Sequence, residues 1–227
     1  MTIINTRKKR REKTVRRVTT GVAAGAVVGL AVAGVAVAAR RTERVVPKLP
    51  APGATAEVEV LSKGLEVVVA GRKIRTGPLQ GRAAFEIEAN QNDPAAVRTR
   101  IKEFHLVSTG DREGVTVTVD LDQRAGRRDV ASGLRRISAE SPRFRHIIAL
   151  QCIITIANTR ALDLPAGVDE TLALAVSVPL QLSGKPSGFP DDRAQYKLNE
   201  EVELSGSGLP LGERALITKF PLQIKAL

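Results

Sequence analysis

From Thr55 onward the chain alternates apolar and polar positions with a period of two, the pattern of half-buried β-strands. In 115–122, Val115, Val117, Val119 and Leu121 share one face, and Thr116, Thr118, Asp120 and Asp122 share the other. In 81–89, Ala83, Phe85, Ile87 and Ala89 oppose Arg82, Ala84, Glu86 and Glu88. Residues 172–182 carry an unbroken apolar face, with Pro179 on the opposite parity, which implies an edge strand or a bulge. Residues 147–156 are apolar on both parities, as in a central strand covered on both sides. The alternation recurs in 198–204, where Glu200 breaks the apolar face, and in 216–224. Shorter candidates lie at 56–61, 65–69 and 100–107; in the last the apolar parity shifts between Ile101 and Phe104, which predicts a bulge.

Turn residues separate these runs, among them Ser62-Lys63-Gly64, Pro165-Ala166-Gly167 and Gly206-Ser207-Gly208. One short helix is predicted, near Asp129–Ala139. Strands at this density predict an all-β fold, an antiparallel β-sandwich or barrel of about eight or nine strands over residues 55–227, preceded by one N-terminal apolar helix.

That helix is expected at Val18–Ala39, a 22-residue run without a charge. At about 1.5 Å per residue it would cross a hydrocarbon core of roughly 30 Å. Eight basic residues precede it, and the positive-inside rule then makes 1–17 a cytoplasmic tail. The reading is a single-pass signal anchor with the β-domain on the far side. The alternative is a secreted protein cut near Ala38, where Ala36-Val37-Ala38 offers an A-x-A site, although Arg40 and Arg41 disfavour export past such a cut. Gly21, Gly25, Gly29 and Ala33 line one face of the helix and would permit self-association. Pro47, Pro50 and Pro52 make residues 40–54 a stiff linker.

Charge follows this division. The net charge is +11, but residues 1–48 hold twelve basic side chains against Glu12 and Glu43 and carry +10 of it. The remaining residues are almost neutral, so the domain is not expected to bind nucleic acid. Trp is absent and aromatics are 3%, which argues against base- or sugar-stacking platforms.

Little in the domain carries catalytic chemistry. His105 and His146 are the only histidines, without partners at metal-ligand spacing, and read as ordinary surface or strand-end residues. Cys152, the only cysteine, lies in the most apolar run and reads as a buried inert thiol. The pairs Glu57/Glu59, Glu86/Glu88 and Asp120/Asp122 read as solvated outer faces. No metal site and no cofactor are predicted. The segment 124–145 gathers Arg124, Arg127, Arg128, Arg135, Arg136, Arg143 and Arg145, a candidate contact for an anionic partner. These features favour a non-enzymatic cell-envelope binding or interaction module, holding an apolar ligand or a protein partner. A barrel-type enzyme, cyclase- or isomerase-like, acting on an apolar substrate is the alternative.

Overall fold

The computed structural model describes residues 48–109, 114–125 and 132–227, all within one compact unit that spans residues 44–227. The expected anchor helix, its Gly21, Gly25, Gly29 and Ala33 face and the basic tail lie outside the described residues. Among the described residues no helix is long and apolar enough to cross a membrane.

The domain is all-β. Its strands are β1 (Thr55–Ser62), β2 (Glu66–Val69), β3 (Arg72–Arg75), β4 (Leu79–Ala89), β5 (Ala96–Ser108), β6 (Thr116–Leu121), β7 (Gly133–Arg136), β8 (Phe144–Leu150), β9 (Cys152–Ala157), β10 (Thr171–Val176), β11 (Leu180–Gly184), β12 (Gln195–Leu198), β13 (Val202–Ser207), β14 (Ala215–Lys219) and β15 (Leu222–Ala226). Gln123–Ala125 and Thr159–Leu162 form single 3-10 turns.

All pairings are antiparallel. Eight strands close a ring in the order β5-β4-β1-β15-β12-β11-β8-β7, sealed where Val97 of β5 meets Leu134 of β7. Beyond β6, which pairs with β5 at His105–Val107, the sheet runs on through β9, β10, β13, β14, β2 and β3. The architecture is therefore a closed eight-stranded barrel with a flanking sheet. Five long strands serve both halves: β1 passes into β2, β8 into β9, β10 into β11, β12 into β13 and β14 into β15, each across one to three residues.

This sharing accounts for most of the strands beyond those the sequence predicts; β3 and β7, which match no expected run, are the others. The single runs expected at 147–156, 172–182 and 198–204 are each broken where the strand leaves one half for the other. The breaks fall at Gln151, at Ser177–Pro179 and at Asn199–Glu201. Both halves bury the same parity, although at the second and third breaks the in-phase residues, Val178 and Glu200, are exposed. Ile148, Leu150, Cys152, Ile154 and Ile156 are all buried across the Gln151 break, while Ile147 and Ile153 are only partly so. Residues 147–156 are thus covered on one face and half-covered on the other. The short helix expected near Asp129–Ala139 is corrected to a strand over its described part: β7 pairs with β8 and closes the barrel.

The bulge expected in 100–107 is present. Ala84 pairs with Glu103 but Phe85 pairs with Ile101, so Lys102 is the extra residue on β5. A Cβ on Gly81 would collide with the His105 carbonyl, so β4 and β5 approach at a distance only glycine permits. Core positions such as Val58, Val60, Leu106, Val119, Leu174 and Ile217 are fully buried.

Candidate functional site

Inside the barrel the alternation places three polar side chains among apolar ones. Thr99 follows Val97 on the inward parity of β5, His146 lies between Phe144 and Ile148 on that of β8, and Tyr196 is the inward residue of β12. These strands are not neighbours: β7 separates β5 from β8, and β11 separates β8 from β12. The three side chains meet across the interior, each at most 1% exposed. His146 Nε2 lies 3.1 Å from Thr99 Oγ1, and its Nδ1 lies 2.9 Å from the Tyr196 hydroxyl. Gly184 makes room for this arrangement, because a Cβ there would sit 2.7 Å from the Tyr196 ring.

Burial sets the chemistry of the group. Desolvation holds His146 neutral, with its pKa pushed down to about 3. Burial, and secondarily the Asp191 charge, pushes the Tyr196 phenol upward. At neutral pH the site is therefore a set of uncharged hydrogen-bonding groups, poor as a proton source or sink, that forms a polar point in an apolar interior.

One end of the barrel interior is covered by aromatic and aliphatic side chains. Phe189, half-buried, meets Phe85 edge-on at 5.3 Å between ring centroids and His146 at 5.0 Å. With Leu49 it packs on the cluster of Ile87, Val97, Leu134 and Phe144. Phe189 lies in the connection between β11 and β12, which Asp191 ties down. The Asp191 carboxylate accepts hydrogen bonds from the Ser187 amide and hydroxyl (2.6 and 2.8 Å) and from the Arg193 amide (2.9 Å). Partial burial opposes its charge, but these bonds and the nearby Arg193 charge outweigh it, and its pKa lies below the ordinary carboxylate value.

A concavity lies on the outward parity of four adjacent barrel strands. Gln80, Leu61, Gln223 and Gln195 form one cross-strand row there. Together with Pro78 and Pro221 they line a cleft of about 330 Å³.

The residues singled out from sequence are dispersed. His146 is not a surface histidine, as expected, but a fully buried one. His105 lies on the outer face of β5, paired with Asp120 at 2.5 Å, and does not approach His146. Cys152 is buried, and burial raises its pKa, with Asp122 and Asp120 adding to the shift. Among the arginines, Arg127 and Arg128 lie outside the described residues. Arg124 is exposed after β6, Arg135 bonds Asp93 at 3.0 Å, and Arg136 is half-buried. Arg143 and Arg145 are exposed, and Arg145 pairs directly across from Arg135. Among the described residues no group of three or more His, Cys, Asp or Glu side chains is placed to hold a metal ion. The Thr99–His146–Tyr196 group is not among the residues expected from sequence, although parity signals it: His146 keeps step with Ile148 and Leu150, both buried.

No protein-family model and no curated protein matches this chain. A solved structure does: DynF from the dynemicin biosynthesis pathway of Micromonospora chersina. The two are 16% identical, with a TM-score of 0.56 over 78% of this chain and 82% of DynF. At that identity the likeness establishes a shared fold.

Proposed function

We propose that this protein is a binding module for an apolar small molecule, received at the Phe189 end of the barrel and held against the Thr99–His146–Tyr196 group. One observation carries the reading: an uncharged hydrogen-bonded group stands inside an otherwise apolar barrel, beneath an aromatic side chain that reaches the surface. Eight-stranded barrels have interiors of a size that side chains fill or one small ligand occupies. Here the inward side chains fill it, so the ligand enters by taking the place of the Phe189 ring between Phe85 and His146.

The test is titration with an apolar fluorescent probe, N-phenyl-1-naphthylamine. Saturable binding near one equivalent, tightened by Phe189→Ala, is expected. Absence of binding by both proteins would overturn the reading.

The second reading is a barrel enzyme acting on an apolar substrate. It is favoured by a fold neighbour that comes from a biosynthetic pathway. A substrate converted by the wild type and left intact by His146→Gln would replace the first reading with this one.

The leader and the arginines belong to the same proposal. Residues 18–39 carry the domain to or across a membrane, and Arg135, Arg143 and Arg145 meet an anionic partner outside the barrel. Full-length mass in a wholly soluble cytosolic fraction would overturn the first point. Unchanged retention on an anionic matrix after replacing the three arginines with glutamine would overturn the second.

A further inference from the structure

The hydrogens of the buried group do not balance. Thr99 and Tyr196 each bring one hydroxyl hydrogen and a neutral imidazole brings one N–H, so three hydrogens serve two bonds. If Nδ1 carries the proton it donates to the Tyr196 oxygen, and Thr99 donates to Nε2; the Tyr196 hydrogen is then unspent. If Nε2 carries the proton it donates to Thr99 Oγ1, and Tyr196 donates to Nδ1; the Thr99 hydrogen is then unspent. Neither hydroxyl has any other acceptor among the described residues. A buried donor without an acceptor is costly, and native interiors rarely keep one.

Resting on the binding reading above, we infer that the barrel ligand presents a hydrogen-bond acceptor, a carbonyl or ether oxygen on an apolar skeleton, to this surplus donor. The imidazole makes the donor available at either end of the group, because a tautomer change moves the spare hydrogen between Thr99 and Tyr196. Protonation does not disturb the count: His146, with its pKa near 3, carries one N–H throughout the neutral range. A ligand with only a donor at that position could use the remaining lone pair of the hydroxyl oxygen but would leave the surplus hydrogen without an acceptor, and is expected to bind less tightly.

The experiment uses the full chain and two ligands of nearly equal shape, 2-acetylnaphthalene and 2-ethylnaphthalene, competing against N-phenyl-1-naphthylamine. The ketone is expected to bind about tenfold tighter, as one added buried hydrogen bond allows. Its carbonyl stretch should fall to lower wavenumber in the complex than in hexane. In the all-apolar variant T99V/H146F/Y196F the preference should vanish while both ligands still bind. The wild-type comparison and the carbonyl band decide the matter even if that variant fails to fold. Equal affinities, or an unshifted band, overturn the inference while leaving apolar binding in place. If neither naphthalene displaces the probe although the probe itself binds, the inference falls alone. If the probe does not bind either, the binding reading falls with it.

Discussion

Gly184 and the ring of Tyr196 occupy complementary volumes: a methyl group on Gly184 would stand 2.7 Å from two Tyr196 ring carbons. The glycine is therefore a packing partner that keeps the phenol within 2.9 Å of His146. Gly184→Ala should displace the ring and destabilise the fold by about 1–3 kcal/mol, as overpacking of a core does. Urea unfolding measures the loss, and a destabilisation near zero would mean that the ring has room to move.

His146 makes stability depend on pH. Its folded pKa, about 3, is below the unfolded value near 6.5, so between those limits the unfolded chain binds more protons. Stability should thus fall as pH drops from about 6.5, by on the order of 1.4 kcal/mol per pH unit from this group alone. His146→Gln cannot titrate and should flatten that part of the curve. Denaturant midpoints collected from pH 7 down to pH 4.5 check both.

Asp191 acts over a more acidic window. Its folded pKa is depressed, so its support of the β11–β12 connection is present above the unfolded aspartate value, about 3.9, and is lost as pH falls through the folded one. Asp191→Asn should remove this dependence and quicken hydrogen exchange at the Ser187 and Arg193 amides, which donate to the carboxylate. Amide exchange by NMR would show it, and unchanged rates at both positions would contradict the tie.

Phe189→Ala removes a half-buried ring, so its cost should be lower than for a fully buried phenylalanine, about 1–3 kcal/mol. The same change should raise probe affinity. Loss of stability together with loss of binding would show that the ring supports the site rather than occupying it.

Cys152 is fully buried, and its thiol is held protonated by burial. An aromatic disulfide reagent should leave it untouched in the native protein and modify it at the rate of unfolding. Rapid modification of the folded chain would place the thiol at the surface.

Local patterning made much of this fold legible. Alternation located β1, β2, β4 to β6 and the C-terminal strands, and the parity slip near Ile101 disclosed the bulge at Lys102. Closure was not legible, because it depends on β7, a four-residue strand whose Gly-Leu-Arg-Arg sequence has almost no apolar periodicity. Its place is set by long-range pairing with β5 and β8. The breaks at Gln151 and Pro179 were hidden for a related reason, since the apolar residues stay in phase through them, even though Val178 is exposed. The candidate site was half visible. His146 stands in an apolar stretch, but its partners lie 47 and 50 positions away in the chain, and only the ring of strands brings them together.

Five chain segments run from the ring into the flanking sheet with breaks of only one to three residues, so no cut separates ring from flanking sheet into two independently expressible parts. Melting should be a single cooperative event. A guest lodged beside His146 would also slow amide exchange in strands as far off as β13, so its binding can be read at a distance from the site.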